Sequence, residues 1–272
     1  QWLKADEKPQ YIASHGHTVF HQPEIGLTTQ IGSGAVIAAY TGITTVCDFR
    51  TTDVALKGQG APLVPIGDEL LFNQYDACLN LGGIANISFR QGKRRIAYDI
   101  SPCNMALNTI AQLWGQPYDQ EGEMAKSGQV IPEMLNEMNA LAYYRMKSPK
   151  SLGKEWFESQ FLPIMMKYVD EHLLNDCQRT LTEHISYQIA TNISKDAHSL
   201  LVTGGGAHNN FLIELLSEKW SGKVCVPDDL TVDFKEALIF AFLGMLRLEG
   251  QPNCLNSVTG AERDCCGGAI YL

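Results

Sequence analysis

The sequence predicts an α/β protein of two lobes, and three observations carry that reading. A β-α-β pattern fills residues 11–49, two strands joined by a tight turn replace the next helical crossover beyond residue 76, and a strand runs through consecutive glycines into a helix at 199–220. The change of pattern sets the expected boundary between a lobe at 1–75 and a lobe at 76–272, whose last helices are expected to pack back on the first.

The first unit begins with the short strand "YIAS" at 11–14, which ends in the polar stretch "HGHTVFH". A helix is expected next, capped by Thr29 and carrying Ile31, Ala35, Ala38 and Ala39 until Gly42 stops it. "ITTVCDF" from 43 reads as a buried strand with Asp48 and Arg50 at its C-terminal end. "ACLNLGGIANISFR" and "RRIAYDIS" then form a hairpin around "QGKR". From 104 to 198 apolar residues recur at helical steps, as in Leu181, Ile185, Ile189 and Ile193. The strand "SLLVT", the helix "NNFLIELLSEKW", the strand "KVCVP" and a helix from about 233 complete the chain.

The 272 residues are 45% hydrophobic and 19% charged, enough for a substantial core. A net charge of -9 provides no basic face for nucleic acid or an anionic membrane, so a small molecule or a protein is the expected partner. The most apolar run, "EALIFAFLGML" at 236–246, is too short to span a bilayer. "QWLKADEKPQ" shows no secretory pattern, and eight cysteines without C-x-x-C spacing read as free thiols of a cytoplasmic protein. Cys265 and Cys266 read as tail packing rather than metal ligands.

Several stretches carry chemistry. "TGGGAHN" joins a strand to a helix, where free N–H groups and the helix dipole favour an anion or nucleotide; a plain tight turn explains the glycines equally well. Gly82 and Gly83 in "NLGGIANIS", flanked by Asn80 and Asn86, offer a second glycine bend, with a β-bulge as the alternative. His15, His17 and His21 lack a carboxylate or cysteine nearby to complete a zinc site and read as cleft lining. Asp48, Arg50 and Asp53 form a similar charged lip after the next strand, or else pair on the surface. Asp99 suits a general base, a metal ligand or the N-cap of the following helix, and Glu236 suits a ligand contact or a helix-dipole contact.

In this order, "SHGHTVFH", "DFRTTDVALKGQGAPLVP", "NLGGIANIS", "YDISPCN", "GKEWF", "LVTGGGAHN" and "DDLTVDFKEALIFAFLG" resemble the anhydro-N-acetylmuramic acid kinase family of the actin, sugar kinase and heat-shock chaperone superfamily, over essentially the whole chain. The resemblance implies two ribonuclease-H-like lobes with ATP between them, and ring-opening phosphorylation of 1,6-anhydro-N-acetylmuramic acid in cell-wall recycling. It further implies ATP with Mg2+, Asp99 as the base, and Arg50, Glu236, His15 and Gln59 at the sugar. Gly82, Gly83, Asn86, Gly204, Gly205, Gly206 and Asn209 fall to the nucleotide, with no resident metal ligands and with room for a homodimer. A non-catalytic sugar- or nucleotide-binding relative is the alternative.

Two departures bear on this. The family reads Thr-Gly-Pro-Gly-Asn after the aspartate where this chain has Ile100-Ser101-Pro102-Cys103-Asn104, so a different turn is expected if those glycines need positive φ. The family's glycine- and serine-rich opening hairpin has no counterpart here, which predicts an incomplete first lobe with an exposed sheet edge and apolar face.

Overall fold

A computed structural model of the chain describes residues 8–272; residues 1–7, which hold most of the opening stretch read for a leader, lie outside it. Among the described residues, ten strands occur in order: β1 (Ile12–Ser14), β2 (His17–Gln22), β3 (Leu27–Ile31), β4 (Thr45–Cys47), β5 (Ala77–Leu81), β6 (Ile84–Gln91), β7 (Arg94–Pro102), β8 (Ser199–Thr203), β9 (Lys223–Cys225) and β10 (Ala269–Tyr271). The chain divides into two compact units. One gathers the chain up to Asn73, Gln91–Ile96 and Glu236–Leu272; the other holds Gln74–Arg90 and Ala97–Lys235.

The first unit is built on a three-stranded sheet in the order β1-β4-β10. β4 is fully buried, as its β-branched sequence predicts, and pairs parallel with β1 (Ile12 with Thr45) and antiparallel with β10 (Cys47 with Ala269). Val46, Phe49, Ile66, Ile239, Phe240 and Leu243 are buried there. Gly67 in the helix Pro65–Leu71 lets Ile239 approach; a Cβ at Gly67 would sit 2.5 Å from its Cγ1.

The segment before that sheet departs from the sequence reading. The helix expected from Thr29 begins only at Gly34, because residues 27–31 pair as β3 with β2 in an antiparallel hairpin. Thr28, Thr29 and Ile31 favour extended backbone, and the nearer cap is Ser33, whose hydroxyl accepts the Val36 N–H at 3.3 Å. Gly42 ends the helix as expected, with φ of 65°. Phe20, Ile31, Val36 and Tyr40 of this segment are exposed, Tyr40 to 90%.

The second unit carries a five-stranded sheet in the order β7-β6-β5-β8-β9. β5 runs antiparallel to β6 and parallel to β8, and β8 parallel to β9, which is the ribonuclease-H-like arrangement. The expected hairpin around "QGKR" is β6 and β7, and β5 is a separate strand, because Gly82 and Gly83 reverse the chain instead of bending one strand. Leu79, Leu81, Ile87, Ile100, Leu200 and Val202 are buried in one cluster with Ile110 and Phe161. Helix Leu174–Asn192 adds Leu181, Ile185 and Ile189, all fully buried at four-residue steps. This periodicity was plain in the sequence, whereas the buried His184, Gln178 and Thr182 on the same helix were not.

Truncating Ile110 to Ala should cost about 2–5 kcal/mol, since it is fully enclosed and its cavity cannot collapse freely. Urea unfolding of the variant checks this; a loss below about 1 kcal/mol contradicts the packing described.

Candidate functional site

In the first unit, the residues following β4 build a polar cluster. Arg50 directs Nε and Nη2 at His15 Nε2 (3.1 and 2.8 Å) and donates Nη1–H to the Gly60 carbonyl at 2.8 Å. His15 Nδ1 lies 2.9 Å from the Gly16 carbonyl, so the neutral ring with its proton on Nδ1 satisfies both contacts. Burial and the Arg50 charge depress the His15 pKa, and burial likewise lowers that of Arg50, opposed by Glu236. Exposed Glu236 acts electrostatically on both groups, so His15, Arg50 and Glu236 share one neighbourhood. Gln59 is exposed on the loop that presents Gly60.

Asp53 departs from its expected place in the charged lip. It is fully buried and satisfied internally: Oδ2 accepts the Gly60 N–H at 2.7 Å, and Oδ1 accepts the Thr259 hydroxyl at 2.7 Å and the Cys254 thiol at 3.1 Å. Its work is to hold the Gly60 turn on which Arg50 leans.

In the second unit, β5 and β8 run parallel in register from Ala77 with Leu200 to Asn80 with Thr203, so both glycine turns emerge at one end of the sheet. Asn80 and Asn86 face each other across β5 and β6. The three consecutive glycines have separable roles. Gly204 has φ of 83°, and a Cβ there would lie 2.5 Å from Asn80 Oδ1; one at Gly206 would lie 2.7 Å from Leu81 Cβ. These two are required by the protein's own backbone. Exposed Gly205 meets only Asn104 Nδ2, at 3.8 Å, and exposed Gly83 only Met105, also at 3.8 Å. Their surfaces are free for a ligand.

The glycine turn does not open directly on a long helix. It enters a single 3-10 turn, Gly205–His208, and the helix Asn210–Lys219 is capped by Asn209, whose Oδ1 accepts the Leu212 N–H at 2.9 Å. Asn209, expected at the nucleotide, is a buried N-cap of this helix through its Oδ1.

Asp99 lies on β7, whose end is tied to the Gly82–Gly83 turn: the Cys103 and Asn104 N–H groups donate to the Gly83 and Gly82 carbonyls at 2.8 and 3.1 Å. Its side chain is not the N-cap of the helix Asn104–Leu113, a position held by Cys103. Instead Asp99 Oδ2 accepts the Leu152 N–H at 2.8 Å, and its carbonyl accepts the Tyr143 hydroxyl at 2.6 Å. Burial raises its pKa above the usual carboxylate range, partly opposed by the Leu152 bond, so the ordinary value near 4 does not apply.

The altered motif is accommodated without a left-handed residue. Among the described residues the non-glycines with positive φ are Asp48, Lys57 and Glu121, none of them in 100–104. β7 runs on through Pro102, and Ile100, Ser101 and Cys103 are completely buried. The Ser101 hydroxyl meets the Tyr144 hydroxyl at 3.2 Å, which meets His184 Nε2 at 2.9 Å. His184 is sealed from solvent, and burial lowers its pKa to about 3. Sequence reasoning missed this support and the buried Lys150, whose carbonyl accepts the Asp99 N–H and whose ammonium lies over the Tyr143 ring. Only the aromatic pair "YY" at 143–144 hinted at it.

The family model described as anhydro-N-acetylmuramic acid kinase matches residues 2–272. A curated anhydro-N-acetylmuramic acid kinase from Aliivibrio fischeri is 40% identical over 277 residues, covering 96% of this chain and 74% of that protein. One from Vibrio cholerae is 39% identical over 274 residues, with the same two shares. Among solved structures, component A of Acidaminococcus fermentans (R)-2-hydroxyglutaryl-CoA dehydratase aligns at TM-score 0.41 and 14% identity, covering 65% of this chain and 63% of that one. Xylulose kinase from Rhodospirillum rubrum aligns at TM-score 0.39 and 13% identity over 70% of this chain and 42% of that one. Among the described residues, no helix is long and apolar enough to cross a membrane.

The glycines separate by substitution. Gly204→Ala should lose about 1–3 kcal/mol of stability from its left-handed backbone and its clash with Asn80, while Gly205→Ala stays within about 0.5 kcal/mol of the parent. Equal losses in chemical denaturation would contradict this division.

Proposed function

The chain belongs to the anhydro-N-acetylmuramic acid kinase family, and on that premise we propose that it opens the 1,6-anhydro bridge of anhydro-N-acetylmuramic acid with water and phosphorylates the freed O6 from ATP. The products are N-acetylmuramate 6-phosphate and ADP. The observation that supports this most is the half-buried carboxylate of Asp99, fixed by the Leu152 N–H on the strand that ends at a glycine turn.

Asp99 takes a proton from the attacking water. The water oxygen bonds to C1, the C1–O6 bond breaks, and O6 attacks the γ-phosphorus as the bond to ADP breaks; the proton on Asp99 passes to solvent. One negative carboxylate also favours the positive charge that develops at C1. Its raised pKa makes it a better base, provided the pH lies above that value.

Arg50, with His15 fixing its guanidinium through an uncharged nitrogen, donates to the sugar, and Glu236 and Gln59 accept or donate at its rim. Gly83 and Gly205 leave space for phosphates, with Asn86 offering its amide from β6. Asp99 presents a hard oxygen donor, which fits a Mg2+ ion that keeps several waters and is held mainly by the nucleotide. When bound, that ion neutralises phosphate charge; the residues named here position the reactants.

Asp99→Asn should abolish sugar-dependent ADP release while ATP affinity stays within a few fold. The parent's activity should have an acid limb above the ordinary aspartate value of about 3.9, because the carboxyl must lose its proton first. The folded state holds that proton more tightly than the unfolded one, so Asp99 weakens stability as pH rises from the ordinary value through its folded pKa. The Asn variant should then be at least as stable as the parent at neutral pH. Near-normal turnover removes Asp99 from the base role, and binding of sugar and ATP without turnover by the parent identifies a non-catalytic binder.

Arg50→Ala should raise KM for the sugar far more than KM for ATP in steady-state assays. Equal effects on both would contradict its placement at the sugar.

A further inference from the structure

Beneath the Arg50 cluster lies a group that the kinase reading does not use. Asp53, Cys254 and Cys265 are all buried, and one ligand atom from each lies within 4.8 Å of the others. Cys254 and Cys265 are directly opposed in an antiparallel bridge, each N–H donating to the other's carbonyl at 3.1 and 3.2 Å. Both thiols therefore project from the same face of a two-stranded ribbon toward the carboxylate.

We propose that Asp53, Cys254 and Cys265 form a structural site for a thiophilic divalent cation of the zinc class. Tetrahedral zinc has Zn–S near 2.3 Å and Zn–O about 2.0–2.2 Å, which sets its ligand atoms about 3.4–3.8 Å apart, a separation this cluster can meet. The ion takes the position of the thiol proton that Cys254 gives Asp53 Oδ1, and both thiol protons leave to solvent. Thr259 keeps its 2.7 Å bond to Oδ1 and orients the carboxylate from outside, while Oδ2 stays on the Gly60 N–H. A solvent oxygen fills the fourth position. Two thiolates select zinc over magnesium or calcium, which prefer all-oxygen sites.

The consequence is local: the ion clamps the ribbon at 254–265 to the helix Thr51–Ala55 and to the turn whose Gly60 carbonyl receives Arg50. This inference stands apart from the reaction proposed above.

The test uses the full chain purified with a phosphine reductant and no chelator, then dialysed against Zn2+ or Co2+. Elemental analysis should find about one zinc per chain, and the cobalt form should show thiolate-to-cobalt charge transfer with the visible bands of a tetrahedral ion. Cys254→Ser and Cys265→Ser should each weaken metal affinity at least tenfold, while Cys266→Ser and Cys47→Ser leave it unchanged. Should the serine variants not fold, X-ray absorption of the zinc-loaded parent decides, with two sulfurs expected at about 2.3 Å. No bound metal, a shell without sulfur, or a Cys254–Cys265 disulfide in the chain as purified overturns the site.

Discussion

The parallel pairing of β5 with β8 is the constraint from which the second unit follows. Because Asn80 and Thr203 pair where the two strands finish, the chain must turn twice at the same end of the sheet, and there is no room for side chains where those turns meet. Gly204 and Gly206 lie against Asn80 and Leu81, and Asn104 donates to the Leu81 carbonyl at 3.0 Å, so the start of the next helix is fastened to the same edge. Two strands, two turns and a helix end are one packing solution. The surfaces left open, at Gly83 and Gly205, are what remains after that solution is met.

The first unit is organised from beneath its polar cluster. Asp53 is removed from water and must find its partners inside, and it does so through Gly60, Thr259 and Cys254, residues far apart in the chain. Gly60 in turn receives Arg50, and Arg50 holds His15. A carboxylate buried beneath the cluster thus fixes the orientation of the guanidinium above it. Buried polar networks of this kind specify one arrangement because any partly satisfied alternative leaves a charge without partners.

Much of this was legible in the sequence. β4, β8 and the helix Leu174–Asn192 follow from β-branched runs and four-residue apolar spacing, and Gly42 marked a helix end. The motif stretches also drew His15, Arg50 and Glu236 to notice, and those three do share one neighbourhood. What escaped was set by tertiary pairing. The hairpin of β2 and β3 replaced a helical turn because residues 27–31 had a strand to pair with. Asp53 read as an exposed charge because its partners at 254 and 259 lie some two hundred positions away, and the capping role of Asn209 Oδ1 three residues on was not read at all.

Ser101 and Cys103 stand where relatives of this chain are expected to carry glycine, yet neither has a positive φ, Ser101 lies in β7, and both side chains are completely buried. The small residue at such a place answers to volume rather than to torsion, so drift to another small residue costs the strand little. A recognition rule keyed to the glycines would pass this chain over, while one keyed to the aspartate, the proline and the asparagine amide would retain it.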